Sequence, residues 1–97
     1  MTGQKNDNGK PDFTLLPWGA IRSVVKVLDF GKQKYTHEGW KHVPDAKHRY
    51  LAAAFRHITA YAEGQTHDEE SGLHHLSHAC CCLLFILHFD GIKEDEN

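Results

Sequence analysis

The stretch that decides the fold is Ser71-Gly72-Leu73-His74-His75-Leu76-Ser77-His78-Ala79-Cys80-Cys81-Cys82-Leu83-Leu84-Phe85-Ile86-Leu87-His88-Phe89. It opens on a serine suited to cap a helix and then repeats apolar residues at three- and four-residue steps, with Leu76, Cys80, Leu83 and Leu87 on one stripe. This spacing predicts a helix from about Ser71 to Phe89. Phe85, Ile86 and Phe89 fall off the stripe, so the C-terminal half is apolar nearly all round. One small bundle cannot cover such a helix, and self-association into a homo-oligomer is the simplest way to bury it.

Two further helices precede it. Pro17 suits an early helical position, and Trp18, Ile21, Val24, Val25 and Leu28 follow with helical period, predicting a helix over Pro17–Lys34. The linker Tyr35 to Asp45 holds Gly39 and Pro44, and Asp45 can cap the next helix, expected over Ala46–Glu63 and ended by Gly64. On that helix Leu51, Phe55, Ile58 and Ala62 form the apolar stripe, Tyr50, Ala54, His57 and Tyr61 a more polar one beside it, and Ala52, Ala53 and Ala54 allow a close neighbour. No strand pattern or internal repeat appears. The reading is an all-α fold, a small bundle of three main helices. Residues 13–90 are expected to form one helical domain, between a flexible arm at 1–12 and a flexible tail at 91–97.

The 97 residues carry 11 Lys+Arg against 13 Asp+Glu, a formal charge of −2, so there is no basic field for duplex nucleic acid. Three adjacent cysteines, Cys80, Cys81 and Cys82, cannot bridge one another and read as small core hydrophobes. With neither a leader nor a twenty-residue apolar run, the chain is expected to be cytoplasmic and free of membrane. The unusual number is nine histidines.

The histidines are densest in His67-Asp68-Glu69-Glu70-Ser71-Gly72-Leu73-His74-His75-Leu76-Ser77-His78. Ser71, His75, His78 and Cys82 share one sector of the third helix, and an antiparallel hairpin sets His57 opposite His75 and His78. Two uses follow. Imidazoles with Asp68 or Glu70 hold a divalent ion, or the free N–H groups at the start of the third helix bind phosphate with help from Arg56, Arg49 or Lys47. The bland reading makes His75 and His78 polar packing residues and Asp68 and Glu70 favourable charges at a helix N-terminus. His74 and His88 fall on the outward side. Tyr35 and Trp40 either stack on a nucleobase or pin the linker to the bundle. The dipeptide His67-Asp68, without helical context, is a weak sign of a metal phosphohydrolase.

The order F-G-K-Q-K-Y-x4-W (Phe30 to Trp40), R-Y-L-A-A-A-x-R-H-x2-A (Arg49 to Ala60) and E-G-x3-D-x-E-S-G-L-x-H-L-x-H-A-x-C (Glu63 to Cys81) resembles the phage-associated family named for a dATP/dGTP diphosphohydrolase N-terminal domain. The resemblance covers residues 13 to 89. It implies an all-α, MazG-like nucleotide enzyme that uses Mg²⁺ to cut a nucleoside triphosphate into monophosphate and pyrophosphate. The paired E-x-x-E and E-x-x-D motifs of MazG-like enzymes are absent from the helices read here, which leaves room for catalytic carboxylates in further sequence of longer members.

The expected roles are as follows. Asp68, Glu70 and His75 are catalytic, and His57, Asp68, Glu70, His75 and His78 hold a divalent metal, Mg²⁺ first, with Mn²⁺ or Zn²⁺ as alternatives. Lys34, Tyr35, Trp40, Arg49, Arg56 and Ser71 bind the nucleotide. Two readings of another class stand beside this one: a non-catalytic protein that sequesters a nucleotide, such as an immune signal, and an oligomerisation or regulatory module.

Overall fold

The computed structural model describes residues 3–92, so residues 1–2 of the expected arm and 93–97 of the expected tail lie outside the described residues. Three helices form the bundle: α1 (Trp18–Lys34), α2 (Ala46–Ala62) and α3 (His75–Phe89). Short 3-10 turns at Phe13–Leu15 and Gly39–His42 flank α1. Among the described residues there is no strand, only one isolated antiparallel bridge between His67 and His74. No described helix is long and apolar enough to cross a membrane.

The end of α2 follows from local chemistry. Gly64, at φ 102°, takes a left-handed conformation, and the Gln65 N–H reaches the Ala60 carbonyl at 3.0 Å while the Gly64 N–H reaches Tyr61 at 3.0 Å. This is a Schellman closure, which only glycine enters without strain. At the other end Asp45 does occupy the cap position, but in a left-handed conformation with no side-chain cap bond. The start of α3 departs further from expectation. The helix begins at His75, and His74 is its cap, its Nδ1 accepting the Leu76 N–H at 3.0 Å. Ser71 lies in the preceding turn, because Gly72 at φ 73° cannot continue a right-handed helix from it. His74, expected outward and solvated, therefore has a structural use.

Packing places α2 antiparallel to α3. Tyr50 meets Phe85 and Phe89, while His57, two turns later, meets His75 and His78. The faces in contact are the small ones: Ala54 is 1 % exposed, and Ala79 and Cys82 are buried opposite it. Contacts between α1 and α3 are fewer. Val24, Val27 and Cys81 form a core cluster that Leu73 and Phe85 pack against. Beside it the Ser77 hydroxyl donates to Ser23 at 2.8 Å, since the Ser23 hydroxyl is itself committed to the Ala20 carbonyl. Trp40 lies flat on Phe85, centroids 4.3 Å apart, and its carbonyl accepts the Tyr50 hydroxyl, so the linker is pinned to the bundle.

Two expected core stripes face outward instead. Leu51, Phe55 and Ile58 on α2, and Cys80, Leu83 and Leu87 on α3, are exposed. The reason is steric. The alanine face lets two backbones approach closely and gives Tyr50 and His57 partners on α3, whereas the bulky stripe would hold the helices apart. Cys81 and Cys82 are core residues as expected, and burial pushes the Cys81 thiol up to about 12, which keeps it inert.

Overpacking this contact is expected to be costly. Ala54→Leu should lower stability by about 1–3 kcal/mol, while Ala62→Leu, at an exposed position of the same helix, should change it by less than about 0.5 kcal/mol. Paired thermal melts followed by circular dichroism check the contrast, and equal effects would remove Ala54 from the close contact.

Candidate metal centre

The loop between α2 and α3 folds back on itself. The Asp68 N–H donates to the Leu73 carbonyl at 2.8 Å, the Gly72 N–H to the Asp68 carbonyl at 2.8 Å, and the His75 N–H to the Thr66 carbonyl at 2.9 Å. Inside this turn Asp68 Oδ2 accepts both the Ser71 N–H at 2.9 Å and the Ser71 hydroxyl at 3.0 Å. Such an aspartate turn returns the chain on itself and carries Asp68 to the start of α3.

Three side chains converge there. One nitrogen each from His57 and His75 and one carboxylate oxygen of Asp68 lie within 4.8 Å of one another. His57 Nδ1 and His75 Nδ1 are 2.8 Å apart, and His75 is buried. His78 stacks on His57 at 4.5 Å with rings 8° from parallel. Its Nε2 is 2.7 Å from the Ser71 hydroxyl and 3.9 Å from Asp68 Oδ2, so His78 reaches the carboxylate through Ser71.

Burial disfavours the charged forms of His57 and His78. Burial, with the charges His78 and His75 would carry, lowers the pKa of His57; burial lowers that of His78 against the pull of Asp68. Burial alone would raise the pKa of Asp68, but the two bonds from Ser71 and the nearby His78 and His57 outweigh it and leave it below the ordinary value. Neutral imidazole and ionised carboxylate are the states a metal ion requires.

The other expected site residues are placed differently. Glu70 pairs with Lys34 and is not among the three converging ligands; that bond is the main reason the Lys34 pKa is raised. Tyr35 is exposed, with the Lys34 ammonium 5.5 Å over its ring. Arg56 is exposed on α2, one residue from His57. Arg49 instead turns toward the Pro44 carbonyl at 3.4 Å, and Lys47 pairs with Asp90. Trp40 serves the packing use, with Phe85 on its face and Phe89 and His88 at its edge.

The α3 N-terminus is no phosphate cradle. Its first N–H groups are already taken, His75 by Thr66, Leu76 by the His74 ring, and Ser77 and His78 by the His74 carbonyl. Of the two arrangements open in the sequence, the structure brings together the side chains of the first, His57, Asp68 and His75. Sequence reasoning missed Gln65, whose Oε1 is 3.1 Å from His75 Nε2. A lone glutamine in a loop has no periodicity or spacing to mark it.

The lowered imidazole pKa values set a pH dependence for the metal-free protein. Above the unfolded value near 6.5 both His57 and His78 are neutral in either state and stability is full; as pH falls below it the unfolded chain takes up protons first and stability is lost. The melting temperature should therefore be level from pH 7 to 8 and fall below about pH 6.5, with a shallower fall in His57→Gln. Melts across that range check this, and an unchanged midpoint down to pH 5 would count against it.

A family profile described as dATP/dGTP diphosphohydrolase, N-terminal, matches residues 1–97. A protein of Salmonella phage PMBT28 named dATP/dGTP diphosphohydrolase is 38% identical over 86 residues, which cover 89% of this chain and 29% of that relative. The chain thus spans less than a third of the relative's length. No solved structure matches it. With a profile that fits the whole chain, including the Asp68 turn and the paired histidines, this protein belongs to the family of dATP/dGTP diphosphohydrolase N-terminal domains.

Proposed function

We propose that the chain binds a nucleoside triphosphate of the dATP or dGTP kind beside a divalent metal held by His57, Asp68 and His75, and acts in its hydrolysis to monophosphate and pyrophosphate in the cytoplasm of a phage-infected host. The observation that carries this reading is the convergence of one nitrogen each of His57 and His75 and one carboxylate oxygen of Asp68 within 4.8 Å of one another. The relative's name supplies the substrate class. Two imidazoles and one carboxylate fit Zn²⁺ or Mn²⁺ better than Mg²⁺, which favours oxygen ligands, so the first choice of metal shifts accordingly.

When bound, such an ion neutralises triphosphate charge and polarises a water molecule. The chain's own residues do the rest. Arg56, next to His57, supplies a fixed cation for phosphate, and exposed Tyr35 offers a ring face to the base. Lys34 is paired with Glu70 and exchanges that partner for phosphate; Glu70, so released, takes the proton that water loses as its oxygen bonds to the α-phosphorus and pyrophosphate departs. His78 and Ser71 hold the Asp68 carboxylate in place.

One observation favours a second reading. With Glu70 committed to Lys34, Asp68 is the lone carboxylate among the three ligands, which suits a module that holds a nucleotide without cutting it. Incubation with dATP or dGTP and Mn²⁺, Zn²⁺ or Mg²⁺ separates the two. Hydrolysis predicts pyrophosphate release that falls roughly 100-fold or more in Asp68→Asn. Recovery of bound nucleotide intact selects the second reading, and absence of binding sinks both.

A second copy is proposed to cover the exposed Leu83, Leu84 and Leu87 of α3, since a lone soluble chain rarely exposes so continuous an apolar row. Sedimentation of wild type as a dimer or larger species, and of Leu84→Glu as a monomer, is the expected result.

A further inference from the structure

The environment of His75 gives Gln65 a specific task. The Gln65 side chain touches two groups, His75 Nε2 at 3.1 Å through its oxygen and Glu69 Oε1 at 3.4 Å through its nitrogen. A carboxylate can only accept, so the amide end facing Glu69 is the NH₂ end and the end facing His75 is the carbonyl. The carbonyl in turn can only accept, so His75 carries its proton on Nε2. Its Nδ1 then presents a lone pair, and the 2.8 Å contact with His57 Nδ1 is a bond that His57 donates. One His75 nitrogen converges with Asp68 and His57, and Nδ1, which carries no proton of its own, is the one able to ligate once the His57 N–H gives way. A metal-ligating histidine commonly gives its second N–H to a carbonyl or carboxylate, which fixes the ring and its tautomer.

We propose that Gln65, oriented by Glu69, is the positioning residue of this centre, accepting the His75 Nε2–H so that His75 Nδ1 faces the metal. This assignment rests on the metal reading above and deepens it. Gln65 touches neither ion nor substrate and acts only through His75. A glutamate at the position keeps an oxygen acceptor for the His75 N–H, whereas a leucine keeps the size and removes the acceptor.

The test uses the full chain and Zn²⁺ alone. Nitrogen-15 NMR of the metal-free protein should show wild-type His75 as a single tautomer protonated at Nε2 and a mixture in Gln65→Leu. Calorimetric titration with Zn²⁺ should show affinity about 10- to 100-fold weaker in Gln65→Leu and largely restored in Gln65→Glu, with all three proteins of equal helical content. A merely structural role would move neither the tautomer nor the rescue. A wild-type proton on Nδ1, or equal tautomers and affinities in wild type and Gln65→Leu, overturns the assignment of Gln65 while the metal centre stands. Failure of wild type to bind Zn²⁺ overturns the metal reading and this assignment with it.

Discussion

The structure depends on how closely α2 and α3 approach. At Ala54, Ala79 and Cys82 the side chains are small and buried, and the two backbones come together on that face. The same approach puts His57 Nδ1 within 2.8 Å of His75 Nδ1 and lays the His78 ring on His57. A wider hairpin would leave the imidazoles to solvent, with ordinary pKa values for His57 and His78 and no shared centre. Helix packing and site chemistry are therefore one constraint. Since the interior is close-packed, a methylene added at Ala54 is felt at the histidines as well as in the core.

A second constraint sits in the loop. Asp68 both closes its own turn, by accepting from the Ser71 N–H and hydroxyl, and offers a carboxylate to the histidines. The turn delays α3 until His75, so the capping duty falls to His74. The bonds that use up the first N–H groups of α3 close it to phosphate, and the loop they create gathers Asp68, His57 and His75 instead. The expected anion site and the observed convergence of Asp68, His57 and His75 are thus decided by the same few hydrogen bonds.

Much of the fold was legible because periodicity and turn chemistry are local. The three helices, the stop at Gly64 and the buried Cys81 and Cys82 all follow from such signals. The proximity of His57 to His75 and His78 was legible too, since a hairpin with helical spacing leaves few other registers. What escaped was the choice of buried face. Hydropathy ranks Leu51, Phe55 and Ile58 above Tyr50, Ala54 and His57, yet the contact uses the second set. Hydropathy measures the gain from leaving water, not how near two backbones can come. Glu70 illustrates a different limit: its partner, Lys34, lies thirty-six residues earlier, and no sequence pattern links them.

The sequence by itself determined an all-α chain, the helix content, the terminators and the family, because these reside in spacing and in short runs of residues read in order. The tertiary structure alone decided that Asp68 rather than Glu70 joins His57 and His75, that Trp40 packs on Phe85, and that Gln65 stands behind His75. The physical reason is that hydrogen bonds act over about 3 Å between groups far apart in the chain, and only the packed hairpin sets such distances.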